Sequence, residues 1–154
     1  MKYLMMIGAF VLAGCQPAPP AAQTEAIRAE PFDVPASSMT TLLNAERSGQ
    51  GRAPVVEDAR LSRAALDHAE DMVQNDYFSH QGQSGSSFTD RAQAAGYSCA
   101  AAENIAFGQR SEAEVINEWM NSSGHRRNIL LNDATEFGIG RVGNMWVLMM
   151  GRGC

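Results

Sequence analysis

Lysine is almost missing from this 154-residue chain: eleven of its twelve Lys and Arg residues are arginine, set against seventeen Asp and Glu. A formal net charge of −5 leaves no overall basic footprint for nucleic acid and no polybasic run for anionic lipid. Three cysteines are too few for a disulfide miniprotein. The three histidines form no H-x-x-x-H and no H-E-x-x-H, and no EF-hand loop or nucleotide motif is present. G-x-S-x-G is missing too, since Gly82-Gln83-Ser84-Gly85 is followed by Ser86. No apolar run reaches membrane-spanning length: the longest, residues 3–13, would rise only about 16 Å as a helix. What remains is 45 % hydrophobic residues in a length suited to one domain with a real core.

The N-terminus bears on compartment. Lys2 precedes the short apolar run, the form of a secretory signal. The run ends in Leu12-Ala13-Gly14-Cys15, which resembles the lipobox of bacterial lipoproteins. There the cysteine is acylated and becomes the first mature residue. An ordinary signal peptide with a chance cysteine is the alternative. Gln16 rather than Asp follows Cys15, so the expected address is the periplasmic face of the outer membrane. Residues 16–36 hold five of the six prolines, a composition that favours extended chain. The expected organisation is a signal peptide over 1–14, a tether over 15–36 and a folded domain over 37–154. With Cys15 acylated, Cys99 and Cys154 remain, an even number in an oxidising compartment. A disulfide between them is expected, two separate buried thiols being the alternative.

Along the folded part, Ser37 or Ser38 can cap a helix over residues 39–49, and Asp58 a longer one reaching about Asn75. Leu61, Ala65, Ala69, Met72 and Val73 line one stripe of that longer helix. Ser86 or Ser87 opens a third helix stopped by Gly96, and Ser111 with Glu114 has the capping-box spacing for a fourth. Gly124 should break the fourth helix, with a helical turn over 125–131. Strands are expected over 102–108, 137–142 and 145–150, the last two joined through Gly143-Asn144. Helices first and strands late predict an α+β fold with an antiparallel sheet.

Candidates for chemistry are few. His68 lies beside the apolar stripe and reads as a core or boundary residue. His80 follows Ser79 in a glycine-rich stretch, and His125 sits between Gly124 and Arg126-Arg127. Glu103 begins an otherwise apolar strand, where a carboxylate needs a cationic, metal or hydrogen-bonding partner.

Seven segments carry a resemblance: residues 42–47 (LLNAER), 67–72 (DHAEDM), 78–80 (FSH), 95–97 (AGY), 103–106 (ENIA), 119–130 (WMNSSGHRRNIL) and 136–141 (EFGIGR). In that order they resemble the bacterial CAP domain, of the cysteine-rich secretory protein, antigen 5 and pathogenesis-related 1 superfamily. The resemblance implies a three-layer α-β-α sandwich with a central antiparallel sheet. It also implies a cleft with two His and two Glu that holds a divalent cation in several members. Matched residue by residue, His80, Glu103 and His125 supply three positions. The fourth, usually Glu, falls on Ser122, with Glu118 one helical turn earlier and Glu136 as possible supplements. Ser79, Asn104 and Asn128 would be the supporting donors. Two imidazoles and one carboxylate suit zinc better than calcium or magnesium, and a site short of one charge should bind it weakly.

The expected function is an envelope-anchored binding protein whose His/Glu cleft takes a small apolar or envelope-derived ligand. Its expected partners are the membrane, through the anchor, and that ligand, with no nucleic acid. A metal-assisted hydrolase using the same cleft and a structural or interaction lipoprotein are the alternatives.

Overall fold

The computed structural model describes residues 38–154. The signal peptide, Cys15 and the tether lie outside the described residues. Asp58 accepts from the backbone N–H groups of Arg60 and Leu61 and so caps a 16-residue helix, α2 (Ala59–Gln74). Before it come α1 (Ser38–Gly49) and a two-residue strand, β1 (Val56–Glu57). Ser87 opens α3 (Phe88–Ala94) with a complete capping box to Asp90, and Gly96, at φ +85°, turns the chain out of it. Then follow β2 (Ala100–Phe107), α4 (Glu112–Asn121), α5 (Ser123–Ile129), β3 (Glu136–Val142) and β4 (Met145–Gly151).

Two local expectations change. The Ser111 side chain accepts from the Glu114 N–H, but the Glu114 carboxylate reaches Arg110 N rather than completing the box. The break after α4 falls on Ser122, whose extended backbone (φ −96°, ψ 121°) serves both helices. Gly124 lies inside α5, because a helix tolerates a glycine more readily than it bends across an extended residue.

The sheet order is β1-β3-β4-β2. β2, β4 and β3 are antiparallel, whereas β1 pairs parallel with β3, so the sheet is mixed. All seven residues of β4 are buried, which identifies it as the central strand covered on both faces. Its alternate residues feed two cores. Trp146, Leu148 and Met150 pack with Met39, Leu43, Val115, Trp119 and Ile129 of α1, α4 and α5. Met145, Val147 and Met149 pack with Leu61, Ala65, Ala69 and Met72 of α2 and Ala92 of α3. Helices therefore cover both faces of the sheet, the α+β sandwich expected. β3 carries Gly138 and Gly140 where α2 crosses: a Cβ on Gly140 would lie 2.2 Å from Leu66 N, so only glycine allows the approach. The end of β4 is tied down by a Cys99–Cys154 disulfide with Cα atoms 5.9 Å apart.

Candidate functional site

Strand alternation sends Glu103 and Asn104 to opposite faces of the sheet. Glu103 enters the α2/α3 side with its side chain 1 % exposed. Both oxygens are bonded there. Oε1 lies 2.8 Å from His80 Nδ1, and Oε2 accepts from Arg91 Nη2 at 2.6 Å. Arg91 also donates to the carbonyls of Ser86 and His80, so one guanidinium clasps the 80–86 loop to α3 and to the sheet. His80 itself remains 57 % exposed. With Nδ1 turned to the carboxylate, its Nε2 is left for whatever enters from solvent. His80 lines a depression of about 240 Å³ with Gln81, Gly85, Ser87 and Phe88.

Behind this pair sits His68, fully buried, with Nε2 2.9 Å from the Ser79 carbonyl. Burial lowers its pKa, and Arg91 lowers it further against smaller opposing effects of Glu103, Ser79 and Asp71. His68 Nδ1 and Arg91 Nε are both buried without a hydrogen-bond partner among the described residues. Next along, Tyr77 donates to Asp71, which holds that carboxyl below its usual range; burial and then Asp71 push the Tyr77 hydroxyl up to about 12.

Asn104 faces the other layer. It donates to the His125 carbonyl (3.1 Å) and accepts from Asn128 (2.8 Å), which also donates to the Glu103 carbonyl (3.1 Å). The Ser79 hydroxyl accepts from Gln81 N–H. Thus Asn104 and Asn128 bind the start of α5 to β2, and Ser79 shapes the turn into His80. His125 makes no hydrogen bond to His80 or Glu103. Its Nδ1 is buried and unpartnered, and its pKa is lowered by burial first and by His80 second, with Glu118 opposing. Glu118 accepts from Gln109, Ser122 makes no side-chain cap bond, and Glu136 accepts from Tyr97. The structure thus joins His80 to Glu103, places His125 within electrostatic reach of His80, and keeps Glu136 on a different partner.

As arranged, these donors do not fit a resident zinc ion. Both Glu103 oxygens are engaged, Oε2 by a cation, so of this pair only His80 Nε2 is open, and no three His, Cys, Asp or Glu side chains among the described residues gather as a metal set. Arg91 is the functional residue that sequence reasoning missed. The demand of Glu103 for a partner was visible; which arginine would meet it depends on how α3 lies against β2.

Residues 40–146 match the cysteine-rich secretory protein family, CAP. The uncharacterized protein YkwD of Bacillus subtilis (strain 168) is 44 % identical over 108 residues, 68 % of this chain and 42 % of the relative. The uncharacterized membrane protein YlbC of the same organism is 35 % identical over 100 residues, 64 % of this chain and 29 % of the relative. The chain thus spans less than half the length of these curated relatives. Among solved structures, an extracellular SCP-domain protein from Bacillus anthracis str. Ames superposes with TM-score 0.71 at 29 % identity, over 74 % of this chain and 39 % of that one. An outer surface protein of Borrelia burgdorferi shares the fold, with TM-score 0.68 at 19 % identity over 75 % of this chain and 90 % of that one.

Proposed function

The chain belongs to the cysteine-rich secretory protein family, and from that premise we propose that it is an exported binding domain of the cell envelope. Its cleft beside His80 takes a small envelope-derived ligand with a hydrogen-bonding head and an apolar body. The observation that carries this reading is the exposed imidazole of His80, fixed through Nδ1 by a buried carboxylate that Arg91 fixes in turn. A side chain held so firmly with its other nitrogen toward solvent is preorganised to accept a proton donor from a ligand. Phe88 supplies the apolar wall of the depression. Its volume of about 240 Å³ suits a headgroup or a small molecule rather than a large one.

Export is supported by the signal-like residues 1–14 and by relatives described as extracellular or outer-surface proteins. The Leu-Ala-Gly-Cys run supports anchoring through acylated Cys15. Cys15→Ser should then leave the membrane fraction or stay unprocessed; normal processing with full membrane retention refutes the anchor.

A second reading, hydrolysis, is favoured by the Glu103–His80 pair, which has the form of a carboxylate-oriented general base. Neither neighbouring serine serves as its nucleophile: Ser79 Oγ accepts from Gln81 N–H, and Ser87 Oγ is engaged with Thr89 and Asp90. Water would have to be the nucleophile, so binding without turnover is the better reading. The test incubates the full chain and His80→Ala with envelope extract and identifies retained compounds by mass spectrometry. Compounds retained unchanged by the native chain and lost in the variant support binding, and cleaved products support hydrolysis. Retention of nothing, or equal retention by both proteins, overturns the cleft reading.

A further inference from the structure

Net charge hides a basic corner that folding assembles. Arg52, which follows α1, and Arg126 and Arg127 of α5 border a depression of about 370 Å³ with Leu130, Leu131 and Asn132. Elsewhere Arg60, Arg63, Arg91 and Arg152 each pair with a carboxylate, while Arg141, which donates to carbonyls and lies over Trp146, does not border this depression. Among the described residues, Arg52, Arg126 and Arg127 have no carboxylate within ion-pair distance. Neutral oxygens hold two of them instead: Arg52 donates to Asn132 Oδ1 at 3.0 Å and Arg126 to Gln50 Oε1 at 2.8 Å. Their positions are fixed while their charge stays unspent. Arg47, fully buried, is a fourth cation here. Burial lowers its pKa, and the neighbouring Arg52 lowers it further. Three guanidinium groups with no carboxylate partner thus gather in one corner of a chain of net charge −5, a local excess of positive charge that an anion can use.

We infer that this corner binds a phosphoryl oxyanion, with Arg52, Arg126 and Arg127 donating to its oxygens and Leu130 and Leu131 against the ester carbons. The guanidinium fork matches the edge of a phosphate. One fork satisfies a carboxylate, whereas three forks around one depression suit a tetrahedral group with several free oxygens. None of these residues lines the His80 depression, so the inference stands apart from the proposed cleft.

Thermal melting of the full chain tests it, with glycerol phosphate compared against sodium chloride at equal ionic strength. Phosphate should raise the melting temperature in a concentration-dependent way that chloride does not reproduce. Arg52→Gln/Arg127→Gln should melt no lower than the native chain without phosphate, because repulsion within the cluster is relieved, and should lose the phosphate shift. Each arginine removed should weaken binding roughly tenfold. Should the double variant fail to fold, Arg127→Gln alone serves, since its guanidinium has no protein partner among the described residues. Vesicles distinguish the source. Greater retention on phosphatidylglycerol than on phosphatidylcholine, lost in the variant, assigns a lipid headgroup; equal retention beside a phosphate shift assigns a soluble phosphate. A shift that chloride reproduces, or that the variant keeps, overturns the site.

Discussion

Arg91 Nη2 lies 2.6 Å from Glu103 Oε2, with the two side chains 10 % and 1 % exposed. The cleft carboxylate is therefore neutralised from within, by a helix that packs on the strand carrying it. Removing one partner leaves the other charge buried and uncompensated. Arg91→Met should cost about 3–5 kcal/mol in urea denaturation, and Glu103→Gln a comparable amount. The double variant should cost clearly less than the sum, because neither charge is then stranded. Additive losses would show that the two residues act independently.

The same pair sets the metal chemistry of the cleft. While Arg91 occupies Oε2, a dication near Glu103 meets a fixed positive charge, so native protein should take up little zinc. Arg91→Gln removes that charge and should bind zinc at least roughly tenfold more tightly, a step of about 1.4 kcal/mol. Competition against a chromophoric chelator measures both, with Arg91→Gln/His80→Ala as the control that loses the gain. Identical curves for native and Arg91→Gln would show that Arg91 does not govern metal access.

The helix starts at Asp58, Ser87 and Ser111 were legible in the sequence because a cap is a local hydrogen bond between near neighbours. The β3–β4 hairpin was legible through alternation and Gly143, which takes φ +59° in the turn. β1 was not. It has two residues, and it is held by Val56 N–H donating to Thr135 and, just beyond it, Asp58 N–H donating to Phe137, residues far away in sequence. Among site residues, the likeness to the family singled out His80 and Glu103, whose pairing the structure shows at 2.8 Å. Arg91 carries no signal of its own, since a charged residue on a short helix ordinarily reads as solvated. Gly138 and Gly140 read as strand residues only; their use as a groove for α2 depends on layer packing.

That groove gives a sharp expectation. A methyl group on Gly140 would lie 2.2 Å from Leu66 N and 2.3 Å from Ala65 C, both backbone atoms of α2 that cannot rotate away. Gly140→Ala should push α2 off the sheet and cost at least about 3 kcal/mol, or abolish folding. Gly143→Ala is the contrast: its Cβ meets nothing within 4 Å, and only the positive φ is penalised, at about 1 kcal/mol. Comparable melting temperatures for the two variants would refute the close-approach argument.

A buried imidazole, His68, and a half-buried one, His125, make stability fall on acidification. The pKa values of His68 and His125 are both lowered, each by burial first, then by Arg91 for His68 and by His80 for His125. The unfolded chain therefore binds more protons than the folded one below about pH 6.5, the ordinary imidazole value. The stabilisation is complete above that pH and is lost as pH falls through the lowered folded-state values. Urea midpoints should drop between pH 7 and 5 in native protein and drop less in His68→Gln/His125→Gln. An unchanged slope in the double variant would assign the acid sensitivity to carboxylates instead.

Arg47 is wholly buried and meets no carboxylate among the described residues; its charge is held by carbonyl oxygens alone. Nε donates to Ala53, Nη1 to Ile129 (2.6 Å) and Leu131 (3.1 Å), and Nη2 to Ala134 (3.1 Å). Ile129 and Leu131 flank the C-terminal end of α5, where the helix dipole favours a cation. One side chain thus ties α1 to the end of α5 and to the approach to β3. Arg47→Met keeps much of the volume but strands four acceptors. At about 1–3 kcal/mol for each buried acceptor left unpaired, and allowing for partial rescue by water, a loss of several kcal/mol is expected. Arg47→Lys keeps the charge but has three donors on one nitrogen, which cannot reach carbonyls spread around a planar fork. It should recover less than half of the loss. Near-native stability for Arg47→Lys would mean that charge at the helix end matters and the fork does not.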